Sequence, residues 1–331
     1  MAAPEKTFGS AALGDVMKGF KFIPDDTNFN FLGMKRIAFA LSLLTFVAAI
    51  YFIAGKGLNL GIDFTGGTVL EIKTPTQPDL ATLRKELNGL GIGAISIQEF
   101  GEPDDLLIRM PGQEGEAEAQ KAALEKVRST IDAQFPDAQV DYRRTEFVGP
   151  QVGEELKKQG LFAVFASILG IMAYVWLRFE WQFGVTALIA LAHDAVTTVG
   201  LFAMTGLEFN LSTVAAILMV AGYSVNDTVV VFDRIRENLR KYKKMPMVEL
   251  LNKTVNQTLS RTTMTSFTTL LALIALYMFG GEVIRGFVVA LIFGIVVGTY
   301  SSIYVAAPLL LYMNLRGNIK KSKNESSDEE S

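Results

Sequence analysis

Cysteine does not occur in the 331 residues, and histidine occurs once. The first absence excludes disulfides, thiol nucleophiles, cysteine-based zinc sites and iron–sulfur clusters, and it leaves the compartment open. The second excludes a histidine-rich metal site. Charge of neither sign dominates: 31 Lys and Arg stand against 34 Asp and Glu, so nothing in the balance points to nucleic acid. Apolar residues are what the chain has in excess. Half of it is hydrophobic and the mean hydropathy is +0.31, too apolar for an ordinary soluble protein of this size.

Apolar runs of about 18 residues or more read as membrane helices. Six occur: Ile37–Ala54, Leu161–Leu177, Phe183–Met204, Leu211–Phe232, Thr262–Phe279 and Phe287–Leu311. The first is too long in its apolar core for a signal peptide, and the segment 1–36 precedes it. Lys35 and Arg36, Arg178, the basic loop 233–261 and the tail 312–331 all fall on one side if the helices alternate. Basic residues mark the cytoplasmic side, so both termini are expected inside and residues 55–159 outside. The last residues, SKNESSDEES, are polar and charged and read as disordered.

The outside segment has the size and mixed polarity of a small domain. Thr68–Lys73 alternates as a strand does, and Asp79–Leu90 reads as a helix capped by Asp79. Ala94–Phe100 and Leu106–Met110 read as strands around a turn, GEPDD. Glu114–Phe135 reads as a helix, and Gln139–Tyr142 begins a last strand. The order β-α-β-β-α-β predicts a ferredoxin-like α+β sandwich.

Asp227 sits inside the fourth run, in GYSVNDTVVVFDRIREN (Gly222–Asn238), about five residues from its end. Charge inside a bilayer costs about 2.5–3.5 kcal/mol at its centre, and intramembrane acids are functional candidates. The competing role is a carboxylate that snorkels or caps a neighbouring helix. Ser224 and Tyr223 lie one turn back and can hydrogen-bond it, and Asn226 adds an amide. Arg261, opening the fifth run, is the natural counter-charge, against the alternative of an arginine snorkelling to phosphates. His193 and Asp194 sit mid-way along the third run, as a proton relay or as a polar tie between helices. Gly286, Ala290, Gly294, Gly298 and Ser302 recur every four residues and let another helix approach, within this chain or in a partner. In LGIDFTGGT, Gly66 and Gly67 read as a turn into the first outside strand. The stretch lacks the Gly-Lys-Ser/Thr ending of a nucleotide loop.

Taken together, LGIDFTGGT, IALAHDAVTTVGLFAMTG, GYSVNDTVVVFDRIREN and SRTTMTSFTT resemble the SecF side of the SecD/SecF family, within the resistance–nodulation–division superfamily. The resemblance covers residues 30–315. It implies a six-helix membrane bundle that is half of a pseudo-symmetric twelve-helix unit, SecD supplying the other half, with the ferredoxin-like domain inserted on the periplasmic side. It implies a role in protein export across the bacterial inner membrane driven by the proton gradient. Asp227 and Arg261 would be the proton-coupling pair, with Asn226, Ser224, His193 and Asp194 in support, and Asp63, Gly66 and Gly67 would open the periplasmic domain. The implied partners are SecD, the SecYEG channel, YajC, YidC, unfolded exported chains and the lipid bilayer. No enzymatic activity, metal or cofactor beyond the proton is expected. Two other functions remain open: a small-molecule proton antiporter of the same superfamily, and an intramembrane aspartyl protease using Asp194 and Asp227. The protease reading lacks its Gly-x-Gly-Asp context.

Overall fold

A computed structural model describes residues 27–113, 116–136, 138–313 and 315. The start of the N-terminal segment and the polar tail lie outside the described residues, as does the expectation of disorder in that tail.

Among the described residues, six helices are long and apolar enough to cross a membrane, the last including its continuation to Tyr312. They are α1 (Lys35–Gly55), α5 (Pro150–Arg178), α6 (Trp181–Thr205), α7 (Leu211–Lys241), α8 (Met247–Phe279) and α9 (Arg285–Ser301). α6, α7 and α9 with its continuation bury more than half of their apolar windows, and α1, α5 and α8 less than a fifth. The first three therefore form an inner layer, and the others present apolar faces outward.

Several helices extend well past the apolar runs. α7 continues to Lys241 and α8 begins at Met247, so the expected basic loop 233–261 is mostly helix around a short link at Tyr242–Pro246. α5 begins at Pro150, within the segment expected to belong to the outside domain. Hydropathy reports what suits hydrocarbon. Arg, Glu, Lys and Gln are good helix formers and carry the helices on into water. Pro150 at the first turn of α5 loses only a backbone donor that would be orphaned there anyway.

Close packing inside the bundle runs through small residues. A Cβ on Gly294 would run into the methyl groups of Val220, and one on Gly298 would lie 3.0 Å from Ser224 Cβ. Gly294 and Gly298 thus pack against α7 of the same chain, while Gly286 lies by Phe202 of α6 and the Glu208 carbonyl. Gly200 on α6 meets Ala49 of α1 in the same manner. Tyr300 donates to the Ala38 carbonyl at 2.8 Å, tying α9 to α1. Beyond α9 the chain forms one π-helical turn, Ser302–Ala306. Pro308 has no N–H to offer the carbonyl of Tyr304, and the widened turn accommodates that gap.

Between α1 and α5 the chain builds α2 (Ile62–Thr65), β2 (Gly67–Lys73), α3 (Leu80–Asn88), β3 (Ser96–Phe100), β4 (Glu102–Met110), α4 (Glu116–Gln134) and β5 (Asp141–Val148). The sheet order is β3-β4-β2-β5, antiparallel throughout, with Leu70 opposite Ile108 and Thr145. This is the expected ferredoxin-like sandwich. Leu70 and Ile72 point to one face, where Leu83 and Leu87 of α3 and Val127 and Ile131 of α4 cover them. The i, i+4 spacing on the helices meets the period of two on the strand. Asp79 caps α3, accepting from Ala81 N–H and Thr82 Oγ1, and these bonds hold its carboxyl below the usual range. The expected GEPDD turn is tighter than read. β4 starts at Glu102, which pairs with Phe100 across Gly101 at φ +94°. Pro103 falls beside the register shift at that end of the β3–β4 ladder, where its missing donor is tolerated.

Candidate functional site

Two polar sites lie inside the apolar bundle, and a third joins the bundle to the α+β domain. In the first, Asp194 of α6 is fully buried and uses both carboxylate oxygens. Ser224 of α7 donates to Oδ2 at 2.5 Å and Ser301 of α9 donates to the same oxygen at 2.7 Å. His193 Nδ1 lies 3.0 Å from Oδ1. An ionised Asp194 accepts from Nδ1–H, and the buried Nε2 has no hydrogen-bond partner among the described residues. Phe46 of α1 stacks on the imidazole, the ring centroids 6.4 Å apart. Asp194 thus pins the three inner helices together.

The second site is Asp227, one helical turn along α7 from Ser224. It is 3% exposed, and its Oδ2 is buried with no hydrogen-bond partner among the described residues. Thr262 of α8 is also buried with its hydroxyl unpartnered. The Arg261 guanidinium is near enough for its charge to act on Asp227, yet no ion pair within 4 Å joins them among the described residues. Arg261 itself is exposed on the surface of the bundle. A buried polar group without a partner costs about 1–3 kcal/mol, so such an atom in a folded protein asks for a reason.

The sequence placed Ser224 and Tyr223 on Asp227. The structure gives Ser224 to Asp194 and Tyr223 to Ser266, whose Oγ lies 3.5 Å from the phenol oxygen. Asn226 is exposed, on a different side of α7 from its neighbour. Asp194 and Asp227 share no hydrogen bond among the described residues, and Asp194 is engaged by Ser224, Ser301 and His193 instead. Ser301 escaped the sequence reading: a single serine in an apolar run carries no signal. Gly286, Ala290, Gly294 and Gly298 serve packing, Ala290 being fully buried.

The third site surrounds LGIDFTGGT. Gly66 and Gly67 have φ of +69° and +122°. A Cβ on Gly66 would lie 2.8 Å from Pro150 Cα, and one on Gly67 would strike the Met110 carbonyl. The motif therefore seats the domain's first strand against the start of α5, a closer contact than a plain turn requires. Asp63 accepts from the Leu211 N–H at 2.8 Å, capping α7 together with Asn210. β1 (Asn59–Leu60) pairs in parallel with β6 (Glu208–Phe209), which lies in the turn between α6 and α7. Arg109 of β4 pairs with Glu208, and Lys56 donates to the Met204 carbonyl at 3.0 Å. Burial lifts the Glu208 carboxyl above its ordinary range, and the Arg109 charge offsets this in part. The α+β domain is thereby fastened to the two helices that carry Asp194 and Asp227.

The family profile described as Protein export membrane protein SecD/SecF, C-terminal, matches residues 128–316, and the SecD/SecF GG Motif matches residues 51–74. The chain is 46% identical over 301 residues to Protein translocase subunit SecF of Rickettsia rickettsii and of Rickettsia felis. In both cases the match spans 91% of this chain and 97% of the relative. Among solved structures it resembles SecDF, a translocon-associated membrane protein from Thermus thermophilus, with a TM-score of 0.78 and 39% identity. That match covers 87% of this chain and 39% of the SecDF chain. SecDF in a super-membrane-facing form gives a TM-score of 0.65 at 37% identity, covering 96% of this chain and 42% of that one.

Proposed function

This chain belongs to the SecD/SecF family of protein export membrane proteins, a multi-pass family of the inner membrane, and on that premise we propose that it acts with a SecD partner to draw on the proton gradient in a late step of protein export. The observation that carries the proposal is Asp227, an acid buried in the bundle with a carboxylate oxygen that has no hydrogen-bond partner among the described residues. Such a group can take up a proton and give it back without breaking an internal bond. Arg261 supplies a cation whose distance from Asp227 a helix movement would change. A proton crossing the membrane provides about 2.3 kcal/mol per 100 mV.

The junction of Asp63, Arg109 and Glu208 supports a route from that event to the α+β domain, because it grips the ends of α6 and α7. The SecDF chains exceed this one by more than a factor of two in length, which agrees with a second half supplied by SecD. The bases Arg178, Arg234, Arg236, Arg240, Lys241, Lys243 and Lys244 gather at the end of the bundle away from the α+β domain. This favours N-in and C-in, with the domain outside. SecYEG, YajC and YidC are proposed as neighbours of the assembly and unfolded chains as its cargo. The proton is the proposed coupling ion, with no cofactor.

The test is reconstitution in vesicles with SecYEG, with and without SecD, following a slowly exported client. Export should fall when SecD is omitted and when a protonophore collapses the gradient. A chain that works equally well without both overturns the proposal.

A further inference from the structure

At the end of the bundle away from the α+β domain, a cavity of about 530 Å³ is lined by Arg178, Asp233, Arg236, Glu237, Arg240 and Lys241. Both acids are already engaged, Asp233 by Arg178 at 3.1 Å and Glu237 by Arg234. Arg240 makes no ion pair or hydrogen bond among the described residues, and the one polar bond of Arg236 goes to the Arg178 carbonyl at 3.2 Å. The guanidinium groups of Arg178 and Arg236 lie 5.1 and 5.3 Å from the ring centroid of the buried Phe179. They are thus held in place before any ligand arrives, which lowers the entropy lost on binding. Arg236 and Arg240 are four residues apart and share one face of α7.

Exposed apolar residues adjoin Arg178 of this cavity along the chain. Trp176 is 61% exposed, Leu177 91% and Trp181 51%, all at the bend between α5 and α6. Tryptophan favours the depth of lipid headgroups, and leucine that of the acyl chains. A planar guanidinium pairs with phosphate through two parallel hydrogen bonds.

From this geometry we propose that the cavity between the ends of α5 and α7 is a phosphate site that holds the headgroup of an anionic phospholipid, with its acyl chains lying along Leu177 and the two tryptophans. A free phosphate shares the headgroup chemistry but has no use for these apolar residues. The inference rests on the membrane placement of the chain and is independent of proton coupling.

The chain contains two tryptophans, both among these apolar residues, so their fluorescence reports on the site. The full chain is placed in phosphatidylcholine vesicles containing equal mole fractions of phosphatidylglycerol, with bromine on the acyl chains of one lipid or the other. Brominated phosphatidylglycerol is expected to quench more strongly, and added salt to narrow the difference. Arg240→Gln, which breaks no bond within the protein, should lose most of the excess quenching, and Arg236→Gln with Arg240→Gln all of it. Lys244→Gln removes the same charge outside the cavity and should retain it. Equal quenching by both lipids overturns the proposal, as does an excess that survives the double substitution, which would leave these bases to an acidic protein surface. A shift in tryptophan emission with inorganic phosphate alone in pure phosphatidylcholine, absent with chloride at the same ionic strength, also overturns it in favour of a soluble anion.

Discussion

Ser224 donates to Asp194 across the interface of α7 and α6 at 2.5 Å, and its Cβ lies where a side chain on Gly298 of α9 would need to be. A buried carboxylate and a close helix contact are therefore one arrangement: the glycine stripe brings α9 near enough for Ser301 to reach the same oxygen. Ser301→Ala should remove one of these bonds while leaving Ser224 and His193 in place. A hydrogen bond to a charged group contributes about 1.5–3 kcal/mol. The thermal midpoint of the chain in detergent should fall accordingly, and an unchanged midpoint would mean that Asp194 does not depend on α9.

Gly294→Ala drives a methyl group into Val220, whose β-branched side chain has little freedom to turn away. Overpacking of this kind costs about 1–3 kcal/mol. Val220→Ala in the same chain should recover most of the loss. Gly222→Ala, with open space around its Cβ, should be neutral or gain up to about 1 kcal/mol from helix propensity. Equal effects at 222 and 294 would contradict the packing of α9 on α7.

Glu208 gives the junction with the α+β domain a pH dependence whose sign can be fixed. Its carboxyl is raised in the folded chain by burial, from an ordinary value of 4.5. Below about pH 4.5 both folded and unfolded states hold the proton, and its contribution to stability is complete. As the pH rises from 4.5 through the raised folded value, the unfolded state loses its proton first, and stability declines. Glu208→Gln does not titrate. The melting temperature of the parent minus that of the variant should therefore fall across this window and level off above it. A flat difference would show that burial does not govern this carboxylate.

The six apolar runs and the β-α-β-β-α-β order were legible because each rests on a period: unbroken apolarity over a bilayer's thickness, and two against 3.6 in the domain. Helix ends were not, because Arg234–Lys241 and Met247–Ser260 are as helical as the apolar residues they continue. Asp227 was legible as an acid among apolar neighbours. Its lack of a partner was not, since Ser224 stands one turn away in sequence and bonds across to another helix instead. Ser301 and Gly200 had no pattern to reveal them. Their importance arises from what α6 and α1 bring against them.

Asp194 and Asp227 provide the sharpest comparison, because the two acids are buried in one bundle and differ in what holds them. Asp194→Asn keeps the shape but replaces an accepting oxygen by an NH₂ donor. With the amide oxygen kept on His193 Nδ1–H, the NH₂ faces the two serine hydroxyls, which must turn their protons away to accept it; Ser301 can still donate to the Gly298 carbonyl, but Ser224 has no second acceptor among the described residues. Leaving buried groups unsatisfied costs about 1–3 kcal/mol, and the melting temperature should drop whether or not a gradient is present. Asp227→Asn has no bond to Oδ2 to lose, so the chain should fold, assemble with SecD and melt within about 0.5 kcal/mol of the parent, as for substitutions that break no named contact. It cannot carry a proton, so export of a slow client should lose its protonophore-sensitive part and keep the remainder. Asp227→Glu retains the acid in a shifted position and should restore a fraction of the lost export. Arg261→Lys separates charge from geometry: a defect as deep as that of Arg261→Gln would assign the requirement to the planar guanidinium. If Asp227→Asn lowers stability as much as Asp194→Asn, or exports with the parent's full response to the protonophore, Asp227 is a structural acid and the proton resides elsewhere.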